Sequence, residues 1–318
     1  MATIGVDIGG TKVFAALVDE GGSIVQRSSS ATDPEAGTAS IISAIHTLLE
    51  TDGPRPSGPE RPGAVGVAAA AWVEYPSGQV AFAPNLIYEE PDLVGTLSAA
   101  VGLPVVVEND ASAAAWAEQQ YGAARGATEM IMVTVGTGIG GGAVIDGRLL
   151  RGAHGFAGEF GHLTLVDGGP LCGCGQRGCL EALASGTAIG RMAQEGIDGA
   201  PDTILLELAA DDRRRITGAL VSEAAHAGDE FAAEVLARAG RWLGAGLASL
   251  VQAFDPEVVV VGGGGAAAGW FLLEPARIEM DRRLARRVSR PPIREATLGN
   301  DAGAIGAASL ARLRTAGG

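Results

Sequence analysis

Lysine is almost missing from this chain: of 23 basic residues among 318, 22 are arginine and one is lysine, Lys12. Cysteine is scarce too, with three residues crowded between 172 and 179, an odd number that excludes a disulfide framework. Positive charge is in deficit, giving a net charge of −14. A chain this acidic is a poor non-specific partner for nucleic acid or an anionic membrane. No apolar run is long enough to span a bilayer. The two longest uncharged stretches, Met130–Ile145 and Val258–Leu273, have 16 residues each and are broken by glycines. The opening residues show no basic segment and no apolar segment of the kind a leader carries, so the expected location is cytoplasmic. What is present is a globular balance: 47% hydrophobic and 19% charged residues, with 49 glycines and 15 prolines, below the level that marks disorder. The length allows one large domain or two ordinary ones.

The hydrophobic pattern alternates strand and helix signals, which predicts an α/β fold. Thr3–Val6, Val13–Val18 and Ile24–Arg27 read as a strand meander with turns at Gly9–Lys12 and Glu20–Gly22. A helix is expected around Ile41–Leu49, a proline-rich surface loop over Gly53–Gly63, and a buried strand over Ala64–Ala71. A helix at Leu93–Val101, a strand at Val105–Val107 and an alanine-rich helix at Ala111–Gln120 follow. The second half repeats the scheme: a strand at Met130–Val135, a glycine turn at Gly136–Gly142 and a returning strand at Ala143–Ile145. Phe231 to Phe254 then marks one long amphipathic helix. Val258–Val261 is a buried strand ended by four glycines, before an arginine-rich helix and a last helix from Ala302 to Arg314. Two strand–glycine-turn–strand units thus open two α/β halves. If these face each other, both turns lie in the cleft between them, where bare backbone N–H groups suit a phosphate chain.

Asp7, Gly9, Gly10, Thr11 and Lys12 form the first such turn. A carboxylate at a strand end can hold Mg²⁺ through water, the glycines offer N–H groups to phosphate, and Thr11 and Lys12 add a hydroxyl and a compact charge. A plain β-turn, with a lysine left over by coding bias, accounts for the same residues. Gly136, Thr137 and Gly138 form the second turn. Gly263, Gly264 and Gly265 form a third, suited either to a nucleotide base or ribose or merely to a tight crossover. Glu108-Asn109-Asp110 ends a strand and begins a helix. Asp110 reads as an N-cap or as a base that takes a proton from an attacking hydroxyl, and Asn109 can donate and accept to sugar hydroxyls.

His162, Cys172, Cys174 and Cys179 follow the spacing His-x9-Cys-x-Cys-x4-Cys. Three thiolates and an imidazole within 18 residues make a Cys₃His set suited to a tetrahedral structural zinc, which leaves no open position for catalysis. Such a zinc would order the loop carrying Glu159, His162 and Glu181.

Together these motifs resemble the ROK family of repressors, open reading frames and sugar kinases, in particular its bacterial glucokinase branch. The likeness runs from Thr3 to about Arg312. It rests most on Val133–His162, on Cys172-Gly-Cys-Gly-x-x-Gly-Cys179 with Glu181, and further on Glu108-Asn109-Asp110 and on Leu298–Gly303. The resemblance implies a two-lobed, actin-like and ribonuclease-H-like fold that closes over glucose and ATP. It implies lobes of 1–115 plus 301–318 and of 116–300. It makes Asp110 the general base on the 6-hydroxyl, with Asn109, Glu159, His162 and Glu181 on other sugar hydroxyls and Asn85 and Ala71 near the sugar. It sets Gly9–Lys12 and Gly136–Gly138 on phosphates, Asp7 near Mg²⁺, and Gly263–Gly265 with Asn300 near the nucleoside. One departure stands out: alanine occupies 68 and 71, where relatives usually carry glycine, and a methyl there could narrow the sugar pocket. A homodimer or homotetramer is also implied.

Three alternatives stay open at this stage. The acceptor can be another hexose, such as fructose, mannose or an N-acetylhexosamine. The five arginines at 282, 283, 286, 287 and 290 can be a solvated helix face or a path for polyphosphate. A sugar-responsive repressor of the same family would need a DNA-binding helix-turn-helix, and here the first strand begins at residue 3 in a strongly acidic chain.

Overall fold

The structure, a computed structural model, describes residues 2–50, 62–83, 86–88 and 92–316. Its strands are β1 (Thr3–Ile8), β2 (Lys12–Val18), β3 (Ile24–Ala31), β4 (Val65–Ala69), β5 (Trp72–Val73), β6 (Val80–Phe82), β7 (Val105–Asn109), β8 (Met130–Val135), β9 (Ile139–Ile145), β10 (Arg148–Leu149), β11 (Val258–Gly262) and β12 (Ile293–Glu295). Its helices are α1 (Gly37–Glu50), α2 (Leu93–Val101), α3 (Asp110–Tyr121), α4 (Leu180–Ala184), α5 (Gly186–Gly196), α6 (Leu205–Leu208), α7 (Gly218–His226), α8 (Glu230–Phe254), α9 (Trp270–Arg283) and α10 (Ala302–Ala316). No described helix is long and apolar enough to cross a membrane.

The sheets carry the internal repeat expected from the sequence. The first has the order β3-β2-β1-β4-β7 and the second β10-β9-β8-β11-β12. In the first, β1 pairs antiparallel with β2 and parallel with β4, and β4 pairs parallel with β7. In the second, β11 lies parallel to both β8 and β12. Each sheet is thus a meander extended by two parallel strands.

Contacts divide the chain into one unit of Met1–Thr128, Gly142–Gly158 and Thr297–Gly318, and another of Glu129–Gly141 and Glu159–Ala296. The expected boundary at 115/116 falls within α3, a single helix through Tyr121. In the first unit the period of two along β1 sorts its residues by face. Ile4, Val6 and Ile8 join Ile41 and Ile45 of α1 and Leu93 and Leu97 of α2 in one fully buried cluster. The intervening Gly5 and Asp7 face α10, whose backbone carbonyl at Ala304 leaves no room for a Cβ at Gly5. In the second unit the expected long helix is α8, which stops at Asp255 in the left-handed conformation, with Pro256 next.

Candidate active site

Alternation along β1 points Asp7 at the first turn of α10, against Gly303, where a Cβ would collide with the carboxylate. The next residues make the tight turn predicted: the Gly9 amide donates to the Lys12 carbonyl at 3.0 Å, and the Thr32 hydroxyl donates to the Gly9 carbonyl at 2.7 Å. Lys12 stands exposed, with its ammonium 5.4 Å from the Phe14 ring centroid. Burial pushes the Asp7 carboxyl up to about 7, the negative charge of Asp110 adds to the rise, and Lys12 opposes it. Two carboxylates offset by one lysine are a donor set that welcomes a divalent cation, and Mg²⁺ is ordinarily held by one or two carboxylates plus phosphates.

Asp110 is not the N-cap of α3. Asn109 is: its side-chain oxygen accepts from the Ser112 amide at 2.9 Å, and Asp110 is the first helical residue. This one-residue offset leaves the Asp110 carboxylate outside the capping role. Its Oδ1 accepts from the Ala111 amide at 2.8 Å and from Asn109 Nδ2 at 3.2 Å. Although half-buried by exposure, it is closely surrounded by protein, and that burial raises its proton affinity against the pull of the backbone hydrogen bonds. Asn109 Nδ2 also donates to the Ala71 carbonyl at 3.1 Å. The Ala71 methyl belongs to the hydrophobic cluster with Val73 and Leu86, so Ala71 meets Asn109 through its backbone.

In the second unit, Gly136–Gly138 closes on itself, with the Gly136 amide donating to the Gly138 carbonyl at 2.9 Å. It is fastened to the start of α5, where the Gly186 amide donates to the Gly136 carbonyl and the Thr187 hydroxyl to the Thr137 carbonyl, both at 2.8 Å. This turn lines an open cavity of about 630 Å³. Two helix N-termini reach its wall: α5 at Gly186, capped by Ser185, and α7 at Gly218, capped by Thr217. The positive ends of two helix dipoles make a natural seat for phosphate. Gly264 and Gly265 complete the floor. Gly263 holds φ 84°, and a Cβ there would collide with the Val135 carbonyl, so only glycine fits.

The Cys₃His set converges as its spacing predicts. The four ligand atoms all lie within 4.8 Å of one another. Cys174 Sγ is 3.8 Å from Cys179 Sγ, and Cys172 Sγ is 3.6 Å from His162 Nδ1. A tetrahedron with Zn–S of about 2.3 Å and Zn–N of about 2.05 Å has edges of about 3.8 Å and 3.6 Å, so the residues fit zinc. Nδ1, the nitrogen nearest Cys172 Sγ, would be the ligating atom, which leaves Nε2, 3.8 Å from Glu159 Oε2. Burial pushes the Cys172 and Cys179 thiols up, so metal binding must displace protons. Glu181, in the first turn of α4, ties this loop to the glycine turn: its Oε2 accepts from the Ile139 amide at 2.9 Å and its Oε1 meets Cys172 Sγ at 3.3 Å.

Some sequence expectations lie elsewhere. Asn85 falls outside the described residues. Asn300 sits in the short turn Gly299–Asp301 ahead of α10. The arginine run does not form one helix face: α9 ends at Arg283, Arg286 lies in the turn that follows, and Arg287 and Arg290 lie in irregular chain before Pro291 and Pro292. Four of the five are in ion pairs: Arg282 and Arg283 with Glu279, Arg287 with Asp255, and Arg290 with Asp281. Sequence reading missed the capped starts of α5 and α7, although Ser185-Gly186 and Thr217-Gly218 carry a cap signal. It also missed Tyr88. Its buried hydroxyl has no hydrogen-bond partner among the described residues, and burial and the Asp110 charge both push its ionisation up.

A sequence profile of the ROK family matches residues 3–314. The chain is 43% identical to a glucokinase of Streptomyces coelicolor, over 98% of its own length and 97% of the relative's. It is 34% identical to an N-acetylmannosamine kinase of Yersinia pseudotuberculosis, over 97% of this chain and 98% of that one. Among solved structures it is similar to a ROK family glucokinase from Streptomyces griseus in complex with glucose and AMPPNP. The TM-score is 0.86 and the identity 42%, covering 98% of this chain and 100% of that one.

Proposed function

The chain belongs to the ROK family, and from that premise we propose that it is a glucokinase, an ATP-dependent phosphotransferase that passes the γ-phosphoryl group of ATP to the 6-hydroxyl of glucose. Its fold is the two-lobed, actin-like and ribonuclease-H-like α/β fold of that family. The observation that carries the mechanism is the Asp110 carboxylate. It is fixed through Oδ1 by Asn109 and Ala111, it stands one residue past the cap, and its proton affinity is raised by burial. A general base works best when its proton affinity approaches the operating pH while it stays ionised. The 6-hydroxyl proton passes to Asp110 as the oxygen forms its bond to the γ-phosphorus and ADP departs. Phosphoryl transfer asks for little covalent chemistry from the protein beyond this positioning and charge neutralisation.

The other groups take supporting roles. Glu159 and His162 Nε2 bind sugar hydroxyls, with His162 held through Nδ1 by zinc. Asn109 keeps a lone pair on Oδ1 for a hydroxyl, and Glu181 supports the sugar side while it holds the Ile139 amide. The Gly9–Lys12 and Gly136–Gly138 turns bind phosphates, and the two helix N-termini at the 630 Å³ cavity add to this affinity. Gly263–Gly265 and Asn300 serve the nucleoside, and Asp7 faces the Mg²⁺ that accompanies ATP and neutralises phosphate charge. Zinc, held by His162, Cys172, Cys174 and Cys179, supplies loop order and no step of the reaction. The reading places the enzyme in the cytoplasm with its ATP, as a homodimer or homotetramer that sedimentation equilibrium would resolve.

The similarity to an N-acetylmannosamine kinase keeps a second acceptor in view. Initial rates over glucose, mannose, fructose and N-acetylmannosamine decide between them, and glucose is expected to give the highest kcat/KM. Asp110→Asn should leave glucose binding near the wild-type level and lower kcat by about 10²–10⁴. A variant that turns over like the wild type would remove Asp110 from the mechanism.

A further inference from the structure

Glu108, the residue before Asn109, is buried, yet it is a carboxylate. Its Oε2 accepts from Arg151 Nε at 2.7 Å, across 43 residues of sequence, and its Oε1 accepts from the backbone amide of Asn109 at 3.2 Å. The side chains are 8% and 21% exposed. Arg151 is itself braced, with its guanidinium 4.7 Å from the Tyr75 ring centroid. Its loop is fastened to the strand end beside β5, where the Tyr75 amide donates to the His154 carbonyl at 3.0 Å. Glu108 and Arg151 both border a cavity of about 290 Å³. Arg151 is the cation that meets the buried Glu108 carboxylate.

We propose that Glu108 and Arg151 are positioning residues for the base: the ion pair holds the Glu108 carboxylate against the Asn109 amide and so fixes the Glu108–Asn109 peptide, one residue ahead of Asp110. This inference rests on the reading of Asp110 as general base. The chain of contacts is short. Arg151 holds Glu108, Glu108 holds the Asn109 amide, and the Asn109 side chain holds both the Ser112 amide and Asp110 Oδ1. Buried ion pairs are poor stabilisers, because desolvation consumes most of their attraction, and their best-attested value is geometric specificity. At a reacting centre that value is large, as a misplacement of about 1 Å can cost about 100-fold in rate. In β7 the residue partnered with Glu108 is Ala68 and the one partnered with Asn109 is Ala69, so no neighbouring side chain on β4 can replace the carboxylate.

The experiment is a double-mutant cycle on the full-length enzyme with glucose and MgATP. Glu108→Gln keeps the shape but cannot accept from Arg151 and the Asn109 amide with equal strength. It should lower kcat by about 10- to 100-fold and leave the KM for ATP within about twofold. In an Asp110→Asn background the same change should cost no more than about twofold, because a group that acts through the base has nothing left to position. Arg151→Met should behave like Glu108→Gln, and Arg151→Lys should recover part of the loss. Rates are scaled to folded protein from thermal melts. Equal fold-losses in both backgrounds would overturn the proposal, as would melts that fall while kcat per folded molecule holds. Should Glu108→Gln fail to fold, the Arg151 pair of variants runs the same cycle. If Asp110→Asn keeps wild-type turnover, the base assignment fails instead, and the two failures are distinguishable.

Discussion

Asp110 sits close enough to Asp7 to raise its proton affinity beyond what burial does, with Lys12 as the opposing charge. The folded chain thus holds a proton on Asp7 up to about pH 7, whereas the unfolded chain releases it near the ordinary value of 3.8. The folded state binds more protons between those limits, so stability from this group is complete below about pH 4 and is lost as pH rises through about 7. In ligand-free protein, Asp7→Asn should flatten that decline and raise Tm at about pH 8 by about 2–4 °C, while activity falls at least about tenfold. Melting curves across pH check this, and an unchanged slope would count against it. A single position also decides what Asp110 can do. Asn109, not Asp110, accepts from the Ser112 amide as the cap, and the Asp110 carboxylate uses Oδ1, on the Ala111 amide and Asn109. Both Asn109 and Asp110 are good caps by residue type, so the sequence could not choose between them, and the backbone geometry at the end of β7 did.

Short elements owe their position to the groups at their ends. The loop from His162 to Cys179 is held by turn hydrogen bonds and isolated bridges rather than by a helix or strand, and α4 begins at Leu180 with no side-chain cap. Zinc would clamp both ends of this loop and so set where Glu181 stands. Cys174, the exposed member of the set, is the mildest ligand to remove. Cys174→Ser should reduce bound zinc, read by atomic absorption, and raise the KM for glucose by about tenfold or more, with a smaller change for ATP. Retained zinc with unaltered kinetics would contradict the clamp. The metal set was legible in the sequence because its spacing is short and its residue types are rare. The meeting of α5 and α7 was not. Ser185 and Thr217 lie 32 positions apart, and nothing local says that their helices begin at one cavity wall.

Across the whole molecule, acidity is a surface property broken by local pairing. The arginine run that suggested a polyanion path spends its charge on Glu279, Asp255 and Asp281. Surface substitutions of this kind shift free energies by about 0.5 kcal/mol or less. Arg282→Gln with Arg283→Gln should accordingly leave the ATP-dependent kcat/KM within about twofold. Polyphosphate offered in place of ATP should give only trace turnover. Brisk polyphosphate turnover that vanishes in the double variant would reassign the run.

The sequence by itself determined the strand meanders, the glycine turns and the convergence of the Cys₃His set, because each is specified by neighbours within a few to some twenty residues. Only the tertiary structure decided that Asn109 caps α3, that two helix starts share one cavity, and that Arg151 stands behind Glu108. Those facts depend on contacts between residues far apart in the chain, and such contacts follow from how whole layers pack rather than from any local preference.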